Sequence, residues 1–284
     1  MPNRILSLTK FYLSLAIAFS SVAGFIFRAQ EFIPGVLLCA AGVFLLASGA
    51  AALNQYQERV QDARMERTRN RPIPSGDISP RNALVIAVLL SISGAVLLWI
   101  WFGWLPALLG ILNLAWYNGI YTPLKRRSYF AVLAGAVNGA VPPVIGWVAA
   151  GGPVSDPRIL FIAFFIFVWQ IPHFWLLLLL HGEDYKKAGF YAVTDRISPK
   201  MQPVILIAWI FATAISTLFL PLFGIIRSVA PIIFIISANC VLVPFLILFP
   251  VKRGAPVNYR VAFIVFNVFM VSVFLILLVE SLAG

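Results

Sequence analysis

A chain of 284 residues that is 61% hydrophobic and only 11% charged cannot cover the surface of a soluble fold, where roughly 25% of residues are charged. Its mean hydropathy of +0.95 makes lipid its main solvent. Cys39 and Cys240 both lie in apolar stretches. They lack the spacing of a disulfide framework or a zinc site and read as small packing residues.

In chain order, Arg4 and Lys10 precede a long apolar stretch with no small-residue cleavage site, so a first transmembrane helix is expected rather than a removed signal peptide. A spanning helix needs about 20 mostly apolar residues. Such stretches fall roughly at 10–27, 34–54, 83–101, 105–121, 130–150, 159–180, 204–224, 229–249 and 261–281. They are continuously apolar, unlike the alternating segments of a membrane β-barrel. The expected fold is therefore all-α, a single polytopic membrane domain over residues 1–284 with nine transmembrane helices. All of the 21 lysines and arginines except Arg28, Arg158 and Arg227 then lie on one side. The positive-inside rule makes that side cytoplasmic, with the N-terminus inside and the C-terminus outside. The basic excess is thus topological, and no nucleic-acid partner is expected. The acids are uneven too: Glu58, Asp62, Glu66 and Asp77 share the first long cytoplasmic loop, and Glu183, Asp184 and Asp195 share the third.

Three constellations stand out. Asn54, Glu58 and Asp62 step by four residues at the cytoplasmic end of the second span, so a continuing helix places them on one face. Oxygen ligands in that arrangement suit Mg²⁺, which is usually held by a few carboxylates together with substrate phosphates. The next residues contribute Arg64, Arg67, Arg69 and Arg71 before a Pro/Gly-rich turn. Guanidinium forks match phosphate oxygens. Topology and lipid head groups alone can explain basic residues, but not carboxylates at helical spacing beside them. The second constellation is Asn113, Tyr117, Tyr121 and Lys125, again stepping by four and followed by Arg126 and Arg127. An interfacial aromatic belt with a snorkelling lysine explains Tyr121 and Lys125, yet leaves Asn113 and Tyr117 deep in the span. The third runs Trp169-Gln-Ile-Pro-His173-Phe-Trp175 and on to Glu183-Asp184. A lone histidine is commonly a hydrogen-bonded packing residue, but a polar group in lipid calls for a reason. Two acidic clusters flanked by basic residues suggest paired Mg²⁺ ions around one diphosphate. Gly135, Gly139, Pro142, Pro143 and Gly146 in the fifth span permit close helix contact and a bend.

These stretches resemble the UbiA superfamily of intramembrane prenyltransferases, and within it the heme O synthase branch. The resemblance rests on Asn54-x3-Glu58-Arg59-x2-Asp62-x2-Met65-x-Arg67-Thr68-x2-Arg71-Pro72, on Gly76-x-Ile78-Ser79-Pro80 and on Tyr121-Thr-x2-Lys125-Arg126. It continues in Gly139-Ala-Val-Pro142-Pro143-x-Ile145-Gly146, Trp169-Gln-x-Pro172-His173 and Glu183-Asp184-Tyr185-x2-Ala188-Gly189, so that it covers about residues 7–190. Glu58 stands where the family normally has Asp, Phe11 where it usually has Pro after Thr-Lys, and Phe190-Tyr-Ala-Val-Thr where it continues Pro-rich.

The resemblance implies nine helices around a central cavity and farnesyl transfer from farnesyl diphosphate to the vinyl group of heme B. It implies Mg²⁺ as cofactor on Asn54, Glu58, Asp62, Glu183 and Asp184. Catalysis would rest on Asn54, Glu58, Asp62, Lys125 and Asp184, and substrate binding on Arg59, Arg67, Arg71, Tyr117, Tyr121, Arg126 and His173. The bilayer and other heme-pathway membrane proteins are the partners it suggests, in the cytoplasmic (inner) membrane. The rival readings are the same fold acting on an aromatic or quinone-precursor acceptor, a transporter, and a structural membrane subunit.

Overall fold

The computed structural model describes residues 2–251 and 258–283, so Lys252 and Arg253 of the last expected basic connection lie outside the described residues. In chain order the helices are α1 (Pro2–Leu8), α2 (Phe11–Ala29), α3 (Gly35–Gln57), α4 (Arg59–Asp62), α5 (Pro80–Phe102) and α6 (Trp104–Ala115). A π-helical turn (Trp116–Tyr121) then leads into α7 (Thr122–Leu124), α8 (Ala131–Ala149) and α9 (Pro157–Lys187). The chain ends in α10 (Gln202–Leu218), α11 (Val229–Val251) and α12 (Tyr259–Ala283). No strand occurs among the described residues. Helices dominate because lipid offers no partners to backbone N–H and C=O groups.

Six of these, α2, α3, α5, α8, α9 and α12, are long and apolar enough to cross a bilayer. The other expected spans fall on α6 with its π-helical continuation, on α10 and on α11. Large apolar side chains such as Ile100 and Val241 face outward, as they do when the surroundings are hydrocarbon. Exposed Trp99, Trp101 and Trp104 form an aromatic patch where α5 meets α6, the position of an interfacial belt.

The helix ends follow local chemistry. Ser79 Oγ accepts the amide of Asn82 at 3.2 Å to start α5, and Asp156 Oδ1 accepts that of Arg158 at 2.9 Å to start α9. In both helices a proline fills the first helical position, where its missing N–H costs nothing. Gly103, at φ +86°, makes the left-handed break between α5 and α6 that other residues resist.

Lipid supplies no hydrophobic drive between helices, so small residues set the closest contacts. A Cβ on Gly24 would overlap the Pro143 carbonyl, and one on Gly146 would overlap the Ser21 carbonyl, so α2 and α8 touch backbone to backbone. The proline pair Pro142–Pro143 inside α8 faces that seam. One core gathers Trp147, Phe165, Leu176, Phe266 and Val273 between α8, α9, α10 and α12. A second joins α2, α3 and α5 around Val36, Cys39, Val43 and Leu98. α12 packs on both α2 and α9, linking the N-terminal helices to the C-terminal ones.

Candidate active site

The site begins with how α1 is fastened. The carbonyls at the end of a helix lack intrahelical partners, and buried Gln55 on α3 supplies one: its Nε2 donates to the Ser7 and Leu8 carbonyls at 2.7 and 3.0 Å. This pins the α1–α2 junction against α3. There Lys10 takes left-handed backbone angles (φ 46°, ψ 52°), a conformation that costs a non-glycine residue roughly 1–2 kcal/mol. Its Nζ donates to Asn54 Oδ1 at 2.8 Å.

From Asn54 the expected stripe unrolls. α3 ends at Gln57, and Glu58 leaves the helical region (φ −100°, ψ 9°) before α4 resumes. The amide of Glu58 nonetheless donates to the Asn54 carbonyl at 2.9 Å, and that of Asp62 to Glu58 at 2.8 Å, so the period of four survives the break. All three side chains share one buried face, at 1%, 3% and 0% exposure. Buried charges must be paired, and these are. Lys125 Nζ forms an ion pair with Glu58 Oε1. Arg71 Nη1 sits 2.8 Å from both Asp62 oxygens, and the buried hydroxyl of Thr68 donates to the Asp62 carbonyl at 2.9 Å, folding the arginine-rich loop back on the site. Burial pushes the Lys10 ammonium down, with Arg71 and Lys125 adding to the effect, to about 7. Burial would raise the Glu58 carboxyl, yet Lys125 and then Lys10 hold it below the usual carboxylate range. Lys125, which burial would lower, is kept above its ordinary value by Glu58.

The second constellation closes over the first. The π-helical turn adds a residue to the repeat, which brings Thr122, rather than a member of the expected stripe, against Asn54: Asn54 Nδ2 donates to Thr122 Oγ1 at 3.1 Å. Asn118 Nδ2 donates to Gln57 Oε1 at 3.1 Å, and Gln57 Nε2 returns a bond to the Asn118 carbonyl at 3.0 Å. π-helical turns gather at functional sites, and this one locks α6 to the end of α3. Arg126 donates to the Gln57 carbonyl. Deeper in, Asn113 donates to the Asn138 carbonyl on α8 at 3.3 Å.

The rings form a track. Lys125 Nζ lies 5.0 Å from the Tyr121 ring centroid. Tyr117 and Tyr121 are 5.4 Å apart, Tyr121 and Phe174 6.4 Å, Phe174 and His173 5.6 Å, and His173 and Trp169 5.0 Å. Aromatic faces thus lead from the charged cluster into α9. Gly135 and Gly139 on α8 admit them: a Cβ on Gly135 would press on Tyr121 at 2.9 Å, and one on Gly139 would overlap the Gln170 amide.

The second acidic motif is built otherwise. α9 kinks at His181 (φ −127°, ψ 18°), and its last turn carries Glu183 and Asp184 into a pocket of about 700 Å³ that Glu66 also lines. Met65 packs on Ala188 and Phe190, and the Tyr191 amide donates to the Lys125 carbonyl at 2.9 Å, so the first, second and third basic connections meet. Glu183 points outward, 84% exposed and 3.3 Å from Lys186. Among the described residues no three His, Cys, Asp or Glu side chains converge on one metal position.

Two of the expected substrate-binding arginines sit apart from the buried stripe. Arg59 donates to the Tyr56 carbonyl at 2.8 Å and covers that residue's ring at 4.7 Å. Arg67 faces water, near enough to His181 to act on it electrostatically. Sequence reasoning counted Lys10 only towards topology and passed over Thr122, Gln57 and Asn118. The Thr9-Lys10 pair before the first apolar stretch was the available signal.

An all-oxygen set of one amide and two buried carboxylates, already matched to cations, fits a hard divalent ion that brings its own phosphate oxygens better than an ion bound alone. Known proteins are similar in sequence and in fold. A protoheme IX farnesyltransferase of Geobacter sulfurreducens is 47% identical over 188 residues, covering 65% of this chain and 68% of its own. One from Oleidesulfovibrio alaskensis is 38% identical over 224 residues, 79% of either chain. The solved structure of a UbiA homologue from Archaeoglobus fulgidus bound to DMAPP and Mg²⁺ superposes with a TM-score of 0.67 at 15% identity, over 96% of this chain and 99% of the other. With the UbiA prenyltransferase family matching residues 16–273, the chain belongs to that family and is a multi-pass membrane prenyltransferase.

Proposed function

We propose that this enzyme transfers a farnesyl group from farnesyl diphosphate to a vinyl group of protoheme IX (heme B), releasing diphosphate and giving heme O. The observation that carries the reading is the buried Asn54–Glu58–Asp62 stripe, ringed by Lys10, Arg71 and Lys125 and leading to a file of aromatic rings that includes His173. Relatives 47% and 38% identical over most of this chain bear the name of that activity.

Mg²⁺, held by Asn54, Glu58, Asp62 and Asp184, would neutralise the leaving diphosphate. Lys10, Arg71, Lys125 and Arg126 donate to its oxygens, with Arg67 reaching in from the rim. When the allylic C–O bond breaks, its electron pair leaves with the diphosphate. Tyr117 and Tyr121 then face the resulting allylic cation, whose charge their ring faces attract. Fixed donors and dipoles in a dry site are worth more than in water and need no reorganisation during reaction. The vinyl π electrons of the acceptor form the new C–C bond. Water adds to the cation left on the acceptor and loses a proton, completing a hydroxyethylfarnesyl group.

The basic end of the bundle is then cytoplasmic, in the inner membrane, with nine spans carrying the C-terminus outside. Of the basic residues left on the far side, Arg28 and Arg158 flank the Trp147 ring at 5.9 and 5.1 Å, and the backbone N–H of Arg227 donates to Glu280.

The test is to incubate purified protein with Mg²⁺, farnesyl diphosphate and heme B and analyse the product by mass spectrometry. Mg²⁺-dependent heme O is expected. No product from heme, together with prenylation of a phenolic acceptor, would replace the reading with the aromatic-acceptor one.

A further inference from the structure

His173 lies on α9 between three rings, Trp169, Phe174 and Phe263, at centroid distances of 5.0, 5.6 and 5.1 Å. Its Nδ1 is 2.8 Å from Oδ1 of Asn267, which stands on α12. The other end of that amide is committed as well: Asn267 Nδ2 donates to the Phe263 carbonyl, one turn back on α12, at 2.6 Å. A flipped amide would set oxygen against oxygen at Phe263, so the oxygen must face the imidazole. An amide oxygen only accepts. Nδ1 therefore carries the ring proton, and Nε2 keeps its lone pair. Nε2 takes no hydrogen bond from the described residues, and the ring is only half-buried. Beside it, Trp169 Nε1 is a buried donor without a partner among the described residues.

Nothing in the transfer chemistry needs a neutral imidazole with a fixed tautomer. A flat iron macrocycle does. A nitrogen lone pair standing in an aromatic slot is an axial ligand, and a hydrogen bond at the opposite nitrogen orients the ring and raises its basicity. We propose that Asn267 is a positioning residue that holds His173 in the Nδ1–H form, so that Nε2 ligates the iron of the porphyrin acceptor and sets its vinyl edge at the end of the aromatic track. This inference rests on the heme reading of the acceptor. It adds α12 to a site that the sequence placed on α3, the α6–α7 segment and α9.

The test is a titration of the purified full-length protein with ferric heme B, read by the Soret band and by electron paramagnetic resonance. Wild type, His173→Ala, Asn267→Leu and Asn267→Asp are compared. Isoprenyl diphosphate binding in the presence of Mg²⁺ is measured in each as a check on folding. Expected are a nitrogen-ligated heme in the wild type, loss of that signature in His173→Ala, and heme binding about tenfold weaker or worse in Asn267→Leu, the scale on which partners of ligating histidines act. Asn267→Asp, whose carboxylate also accepts from Nδ1–H but gives up the bond to the Phe263 carbonyl, should restore the signature in part, above Asn267→Leu. Wild-type heme affinity and spectrum in Asn267→Leu would overturn the positioning role. A heme signature unchanged in His173→Ala would overturn the ligation while leaving the acceptor reading intact. A wild type that binds Mg²⁺ and isoprenyl diphosphate but no heme would overturn the acceptor reading, and this inference with it.

Discussion

The two acidic motifs look alike in sequence, each a pair of acids at the basic end of a span, and the structure makes them opposites. Glu58 and Asp62 are buried, and each is held by its own cation, Lys125 or Arg71. Glu183 and Asp184 ride on the turn beyond the His181 kink, at an open pocket. The first motif is therefore part of the fold as well as part of the proposed site. Under the proposed mechanism its cations stand where a metal and a diphosphate would bring their charges, so substrate would exchange one set of partners for another. Among the described residues the side chains of the second motif make only an exposed contact, Glu183 to Lys186, and in the proposed mechanism its Asp184 would reach the metal only with diphosphate in place.

Alanine at one position in each motif should separate these roles, and this is the largest effect expected. Asp62→Ala and Asp184→Ala should each lower turnover by at least about 100-fold, the scale of losing one electrostatic contact in a preorganised site. They should differ in stability. Asp62→Ala strands Arg71 in a largely buried setting, and breaking a buried pair from one side costs roughly 3–5 kcal/mol, so its thermal unfolding midpoint in detergent should fall clearly. Asp184→Ala should unfold with the wild type. Equal midpoints for the two variants would remove the distinction between a clamped and a free motif.

How far this contrast could be read beforehand depends on the reach of each interaction. The Asn54–Glu58–Asp62 stripe was legible because a local period of four persists through the break at Glu58. Lys125, which pairs with Glu58, was legible because it ends an apolar span. Lys10 is 44 residues from Asn54 and His173 is 94 from Asn267; such pairings are made by packing, and no periodicity encodes them. Thr122 was missed for a different reason. A π-helical turn shifts the register by one residue, and a count by fours steps over it. Arg59 sits within the motif, yet its guanidinium is committed to Tyr56, an orientation that spacing does not convey. The fold was more legible than the site, since long apolar stretches answer to bilayer thickness alone.

A smaller effect probes the clamp through pH. Lys10 is lowered to about 7 from its ordinary 10.5, by burial first and then by Arg71 and Lys125. Between those values the unfolded chain binds a proton that the folded chain does not, so stability should rise with pH across that window. Lys10→Met should flatten the rise in the ligand-free protein, and saturating diphosphate should flatten it in the wild type, because the added negative charge favours the ammonium. A rise that survives in Lys10→Met would assign it to other groups and free Lys10 from the cluster.

The smallest effect concerns Glu183. It shares the second motif with Asp184, and on sequence grounds both are metal ligands. Its side chain is 84% exposed and lies 3.3 Å from Lys186, which is itself shared with Asp195 at 3.4 Å. An exposed pair of this kind is screened by water and contributes little, so moving Glu183 to a metal would forfeit little. The outcome turns on hydration: both acids line the pocket with Glu66, but Asp184 is half-buried whereas Glu183 is exposed and would have to give up more water to reach a metal. Glu183→Ala should therefore keep turnover within about threefold of wild type and leave the unfolding midpoint in place, since exposed substitutions rarely exceed about 0.5 kcal/mol. A loss as deep as that of Asp184→Ala would make Glu183 a ligand in the substrate complex. It would also show that the open motif closes by a larger movement of the α9 end than a change of side-chain rotamer.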